Sequence, residues 1–314
     1  MALHEVPPTL TSAVRPTLIL PADRLGAALG CRLTLVVETF QHTGSFKFRA
    51  AYNVARSVPH PRILTASSGN FGQAMAAACR RLGKGCTVVM PSTSARVKID
   101  AVRSHGATVD LLDTRVQTRA ARVAELAAAD PEAYVASAYD DPLVIAGNAS
   151  LGHEVAAAVE LDDLLVPLGG GGLSSGMVVG LREGGSSARV WGAEPLLAND
   201  GARSLRAGEI VRNESEPPTL ADGARTLSLG RHNWEILRHG LAGVIEVPEA
   251  AIAEGLRRLF LDANVKAEPT GALGVGALLT DPAPFRGRRV GCVVSGGNVD
   301  PALYARLLGG ANEA

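Results

Sequence analysis

The chain has 314 residues, 46% hydrophobic and 20% charged, with 31 Lys and Arg balanced by 31 Asp and Glu. That balance excludes a polyanion or an anionic membrane surface as a partner selected by overall charge, and the composition is that of an ordinary soluble globular protein. The length suits one sizeable α/β unit or two compact domains, and two lobes are expected.

No stretch approaches the roughly 18 apolar residues of a membrane span, and residues 1–8 carry no signal-peptide pattern. Cys31, Cys79, Cys86 and Cys292 fall at spacings that fit neither a zinc site nor a Cys-x-x-Cys motif. A cytoplasmic protein with reduced thiols is expected.

Along 9–38 the chain is punctuated by Pro16 and Pro21, with a short helical pattern over 22–29 and a β-rich run over 33–37. The next stretch, 41–50, sets Lys47 between Phe46 and Phe48 at the start of a predicted helix over 45–56, which Pro59 and Pro61 end. Partial desolvation there lowers an amine's pKa and favours its neutral, nucleophilic form, which can hold an aldehyde cofactor as a Schiff base.

Over 62–135 predicted strands at 63–66, 86–90 and 108–112 alternate with helices at 70–82, 95–104 and 115–128. Such a βαβαβα block implies a parallel sheet whose ligands gather beyond the carboxyl ends of the strands. Ser67, Ser68, Gly69 and Asn70 stand at the first such end. Asn70 has two readings here, an N-cap of the following helix or an amide facing a ligand's oxygen.

A helix over 143–160 and a strand over 163–167 lead into four consecutive glycines, Gly169, Gly170, Gly171 and Gly172, followed by Leu173. Glycines between a strand and a helix let backbone N–H groups converge on one point, where the helix dipole favours an anion, so a phosphate is expected in this loop. A dinucleotide fingerprint would need a third glycine at 174 or 175, and both are serine.

The strand over 189–193 ends at Glu194, and 196–231 reads as a long, polar, functional loop. A strand over 244–247, helices over 249–263 and 271–279 and a last strand over 290–294 precede Ser295, Gly296, Gly297 and Asn298. His42, His105, His153, His232 and His239 form no ligand spacing, and Glu268 reads as a carboxylate at a helix N-terminus.

Four motifs thus stand in a fixed order: Ser-Phe-Lys-Phe-Arg, Ser-Ser-Gly-Asn, Gly-Gly-Gly-Gly-Leu and Ser-Gly-Gly-Asn. Together they resemble the fold-type II pyridoxal phosphate enzymes, and within them the serine/threonine ammonia-lyase (dehydratase) and serine racemase branch, over roughly 9–308. The resemblance implies a two-domain α/β fold of tryptophan synthase β type, with parallel-rich sheets flanked by helices. Residues 1–61 and 140–314 would form the large cofactor-binding domain and 62–139 a small inserted one, with the cofactor between them.

By the same resemblance Lys47 is the Schiff-base lysine and the base that removes the Cα proton. Phe46, Asn70, Gly169, Gly170, Gly171, Gly172, Leu173 and Ser295 bind pyridoxal 5'-phosphate, with Asn70 at the ring hydroxyl and Ser295 at the pyridine nitrogen, and the resemblance gives Glu268 a second reading, near the ring. Ser67, Ser68, Gly69, Asn70 and Phe71 meet the amino-acid substrate, and Ser68 faces Cα opposite Lys47, which adds racemase activity to elimination. Glu194, Ala198 and Asp200 fall at the family's cation site, with oxygen ligands suited to Mg²⁺ or Ca²⁺.

The implied reaction is loss of water from a β-hydroxy amino acid, giving a 2-oxo acid and ammonia, in a homodimer. Phe71 stands where relatives commonly carry histidine, which points to a substrate larger than serine, and Ala50 replaces the glycine usual after Arg49. The length leaves no room for an appended regulatory domain, so feedback by isoleucine is not expected. The alternatives are a β-replacement synthase on the same fold, a dinucleotide-dependent oxidoreductase and a non-catalytic phosphate-ligand binding protein.

Overall fold

The computed structural model describes residues 8–67, 69–94 and 96–310. Its strands are β1 (Leu18–Pro21), β2 (Arg32–Val37), β3 (Arg62–Ala66), β4 (Gly85–Pro91), β5 (Thr108–Leu112), β6 (Ala133–Ala136), β7 (Asp163–Pro167), β8 (Arg189–Pro195), β9 (Leu241–Val247) and β10 (Arg289–Val294). They form two sheets, one in the order β1-β2-β10-β7-β8-β9 and one in the order β5-β4-β3-β6. Every pairing is parallel except β1 with β2.

Parallel strands need long crossovers, so helices pack on the sheets and the central strands are buried and largely apolar. β7, Asp-Leu-Leu-Val-Pro, is buried at all five positions. β1 and β6, four-residue edge strands, are too short to show a period in the sequence. The expected loop over 196–231 contains a helix, Asp200–Ala207, and its remainder holds a short 3₁₀ turn at Asp222–Ala224. No helix among the described residues is long and apolar enough to cross a membrane.

The helix Lys47–Ser57 crosses Asn70–Leu82 and Pro142–Ala158, around a core that includes Phe48, Val54, Phe71, Met75 and Val144. Arg49 is fully buried in this crossing. Its guanidinium is bidentate on Glu38 at 2.8 and 2.9 Å and meets Glu154 at 2.6 Å and the Ser150 hydroxyl at 3.1 Å. Charge pairing and full hydrogen bonding together offset its desolvation. They also pin the start of the Lys47 helix to the end of β2.

Ala50 is likewise fully buried, and it faces Gly147. A Cβ on Gly147 would lie 2.7 Å from the Arg49 carbonyl oxygen and 2.8 Å from the Ala50 Cα. Gly147→Ala is therefore expected to cost about 1–2 kcal/mol by forcing the two helices apart. The check is the urea unfolding midpoint, and an unchanged midpoint would show that the crossing has slack.

Candidate active site

The carboxyl ends of β3, β7 and β10 open on one cleft of about 470 Å³, whose lining includes Lys47, Asn70, Glu268 and Ser295. Lys47 is the first residue of its helix. Its Nζ donates to the Ala138 carbonyl at 2.8 Å and lies 5.1 Å from the Phe46 ring centroid and 5.6 Å from that of Phe71. Burial lowers the pKa of the amine from the ordinary 10.5 to about 8, against the opposing pull of the Glu268 charge.

Phe48, expected beside Lys47, is instead turned into the core, fully buried and in contact with His42 and Tyr52. Consecutive helical residues point about 100° apart, so a chain neighbour seldom shares a face. Phe71 takes its place from another helix.

Asn70 does not cap its helix. Gly69 occupies the N-cap position without a side-chain bond. The Asn70 Nδ2 donates to Glu268 Oε1 at 2.7 Å, and its Oδ1 accepts from the Asn298 Nδ2 at 2.8 Å. Held from both sides, the amide has one orientation, with one Nδ2 hydrogen left over.

Glu268, read from sequence as a helix N-terminal carboxylate, precedes the 3₁₀ turn Pro269–Ala272 but makes no side-chain cap to it. It is 4% exposed, and burial followed by the charge of Asp222 pushes its pKa up to about 8. Nothing local to the sequence marks it, because its partner Asn70 is 198 positions away.

Gly171, at φ +96°, turns the chain into the helix Gly172–Glu183. A Cβ on Gly170 would fall 2.3 Å from the Tyr139 ring, so no side chain fits beneath it. The Gly170 carbonyl accepts from the Gly230 N–H at 3.0 Å and Asn233 Nδ2 at 2.7 Å, and the Gly172 carbonyl from Asn148 Nδ2 at 3.0 Å. Among the described residues no backbone acceptor takes the N–H groups of Gly169, Gly170 or Gly171. Leu173 and Ser295 complete this part of the lining, and the Ser295 Oγ is buried without a hydrogen-bond partner. Buried hydroxyls are ordinarily paired; this one awaits an acceptor or donor from the cleft.

Ser67, whose Oγ accepts from the Gly69 N–H at 3.3 Å, lines the cleft with Gly69 and Phe71. Ser68 lies outside the described residues.

Apart from the cleft, Glu194 accepts from the Gly201 and Ala202 N–H groups, each at 2.8 Å. Asp200 Oδ1 accepts from Asn213 Nδ2 at 2.8 Å, while Asp200 Oδ2 is buried without a partner. Burial, then the charge of Asp200, pushes Glu194 well up, and burial pushes Asp200 up to about 6. Ala198 ends the 3₁₀ turn Leu196–Ala198 between them. No group of three or more His, Cys, Asp or Glu poised to hold a metal occurs among the described residues. Two acidic side chains and a backbone carbonyl are what this place offers, and the orphaned Asp200 oxygen fits a hard cation.

An amine of lowered pKa, a glycine loop with open N–H groups and an unpartnered hydroxyl in one cleft fit a phosphorylated aldehyde. Residues 10–296 match the family described as pyridoxal-phosphate dependent enzyme, and the chain belongs to that family. It is 36% identical over 299 residues to the L-threo-3-hydroxyaspartate ammonia-lyase of Pseudomonas sp, covering 94% of this chain and 93% of that one. It is 33% identical over 276 residues to the serine racemase of Schizosaccharomyces pombe, covering 86% and 85%. Among solved structures, a T.th. threonine deaminase superposes with a TM-score of 0.87 at 37% identity, over 93% of this chain and 95% of that one.

These relatives bear out the expected fold-type II architecture, the pyridoxal phosphate cofactor and a lyase of the ammonia-lyase and serine racemase branch. The dinucleotide and non-catalytic readings fall with this membership.

Proposed function

We propose that the chain eliminates water from 3-hydroxyaspartate, a β-hydroxy amino acid with a second carboxylate, to give a 2-oxo dicarboxylic acid and ammonia. The observation that carries this reading is the Lys47 amine, lowered to about 8 in a cleft whose wall also presents Lys98, Arg119, Arg212 and Arg225. Glu214, Glu216, Asp222 and Glu268 line the same cleft, so its charge is nearly balanced. A cation left unpaired among these groups is what suits the second carboxylate of a dianionic substrate.

Pyridoxal phosphate, when bound, supplies the sink for the electron pair left at Cα. Lys47 would hold the cofactor's aldehyde carbon until the substrate amine displaces it, and the freed Lys47 amine would then take the Cα proton. The N–H groups from Gly169 to Leu173 would bind its phosphate, Asn70 would bond the ring hydroxyl, and Phe46 would supply an apolar wall. The Ser295 hydroxyl, buried without a partner, would meet the pyridine nitrogen and, unlike a carboxylate, would not enforce its protonation. Ser67, Gly69 and Phe71 contact the substrate, and Ser68 moves a proton on the second face, so that racemisation accompanies elimination. The hydroxyl would leave Cβ as water with the proton that Lys47 took from Cα, and the released enamine would tautomerise to an imine that adds water and loses ammonia to give the 2-oxo acid.

In the same reading Glu194, Asp200 and the Ala198 carbonyl hold Mg²⁺ or Ca²⁺, and 62–139 form the inserted domain, a span that includes the strands of the smaller sheet. Four free cysteines fit a reducing cytoplasm, and the family resemblance supports a homodimer.

The test is turnover of L-threo-3-hydroxyaspartate, serine and threonine by cofactor-loaded enzyme, with 2-oxo acid and ammonia both measured. 3-Hydroxyaspartate is expected to lead serine by at least about tenfold in kcat/KM, the scale of one charge-assisted contact. A preference for serine would overturn the substrate, and capture of the product by sulfide would favour the β-replacement synthase. Absence of solvent deuterium from recovered substrate of either hand would remove the role of Ser68.

A further inference from the structure

Of the four cations facing the cleft, three are engaged. Lys98 pairs with Asp222, Arg119 pairs with Glu216 at 3.5 Å, and Arg225 donates to the Thr219 carbonyl from Nε at 2.9 Å and Nη2 at 2.6 Å. Arg212 lines the same cleft and makes no hydrogen bond or ion pair among the described residues. Its charge nevertheless reaches the site. Burial and Asp140 push the Tyr139 phenol up, and Arg212, followed by Arg119, pulls it back. The Tyr139 ring is the one that lies over Gly170 in the glycine cradle.

The backbone on either side of Arg212 is anchored. The Val211 N–H donates to the Ser204 Oγ at 2.8 Å. The Asn213 N–H donates to the Leu227 carbonyl at 2.7 Å, its Nδ2 to Asp200 Oδ1 at 2.8 Å, and its Oδ1 accepts from Arg203. The anchored backbone fixes where the Arg212 side chain starts, while the guanidinium itself is exposed and must still be ordered on binding.

We propose that Arg212 is the specificity residue that takes the distal carboxylate of a dicarboxylic β-hydroxy amino acid, an assignment that rests on the substrate reading above. A planar guanidinium engages a carboxylate through two parallel hydrogen bonds. Lys98 and Arg119 would each have to give up a carboxylate first, whereas Arg212 sheds only water. A hydroxymethyl or hydroxyethyl side chain offers Arg212 no anion, so its contribution separates dicarboxylic from neutral substrates.

The experiment compares cofactor-loaded wild type with Arg212→Met and Arg212→Lys, reading the ratio of kcat/KM for L-threo-3-hydroxyaspartate to that for serine. In Arg212→Met the ratio is expected to fall about 10- to 100-fold, the size of one lost charge-assisted contact, with KM carrying the change and Arg212→Lys recovering part of it. Succinate, which has two carboxylates and no amino group, should weaken as a competitive inhibitor by a similar factor, while butyrate should not. A wild type that uses 3-hydroxyaspartate and an Arg212→Met variant that keeps its selectivity and its succinate affinity would overturn Arg212 alone. Equal losses on both substrates with an intact cofactor band would mark a structural role and overturn it equally. A wild type that prefers serine would instead sink the substrate reading, and this assignment with it.

Discussion

Lys47→Ala is expected to lower turnover by about 10⁴-fold or more and to remove the visible absorption band of the cofactor imine, while the chain stays folded. The residue would be both the covalent anchor and the base at Cα, and loss of a positioned general base alone is worth about 10²–10⁴-fold. The fold should tolerate the change, because alanine is the best helix former and the Lys47 side chain is only partly buried at the cleft. The bond lost, from Nζ to the Ala138 carbonyl, is one that cleft water can replace.

The same environment sets a pH dependence that can be read without turnover. Only the neutral amine attacks an aldehyde, so imine formation by the cofactor-free protein should accelerate as pH rises through about 8 and level off above it, where an ordinary lysine at 10.5 would still be gaining. Glu268 titrates over the same range and holds Lys47 up to the extent that it is ionised, so Glu268→Gln should move that midpoint down. Stopped-flow absorbance checks both, and a midpoint near 10 in the wild type would remove the desolvated amine on which the proposed mechanism stands.

What the sequence made legible are the features that complete themselves within a few residues. A strand ending in glycines and resuming as a helix announces the cradle around Gly171, and a strand running into Ser295 places that hydroxyl at the carboxyl edge where ligands of parallel sheets gather. Lys47 at a helix start belongs to the same class. The contacts that tune these groups do not, because they join segments that meet only when the two sheets dock. Phe71 reaches Lys47 from another helix, and Glu268 reaches Asn70 across 198 positions. Adjacency misled once: Phe48 follows Lys47 in the chain and faces away from it into the core, since a helix separates neighbours by about 100°. Asn70 had two local readings of equal standing, and only the partners brought by the fold, Glu268 and Asn298, set the helix cap aside.

Removal of divalent cations by a chelator is expected to lower the melting temperature at neutral pH by several degrees, and excess Mg²⁺ or Ca²⁺ to restore it. Glu194 and Asp200 are both almost wholly buried. Burial, with the charge of Asp200 acting on Glu194 and that of Arg203 only partly offsetting it at Asp200, makes it costly to hold both as carboxylates. A cation between them would remove that cost, and an ion at about 100 times its Kd stabilises the folded state by about 2.7 kcal/mol. Asp200→Asn separates this from an ordinary structural bond. It keeps an oxygen for the Asn213 Nδ2 yet deletes one of the two opposed charges, so the variant should melt higher than the chelated wild type and ignore added cation. A destabilised Asp200→Asn, or a wild type indifferent to the chelator, would leave the pair as a purely structural contact. The response bears on the cleft as well, because Asn213 joins Asp200 to the strap that carries Arg212. An ion that steadies Asp200 therefore steadies the residue we assign to the distal carboxylate, and amide exchange at 211–213 should slow on its addition.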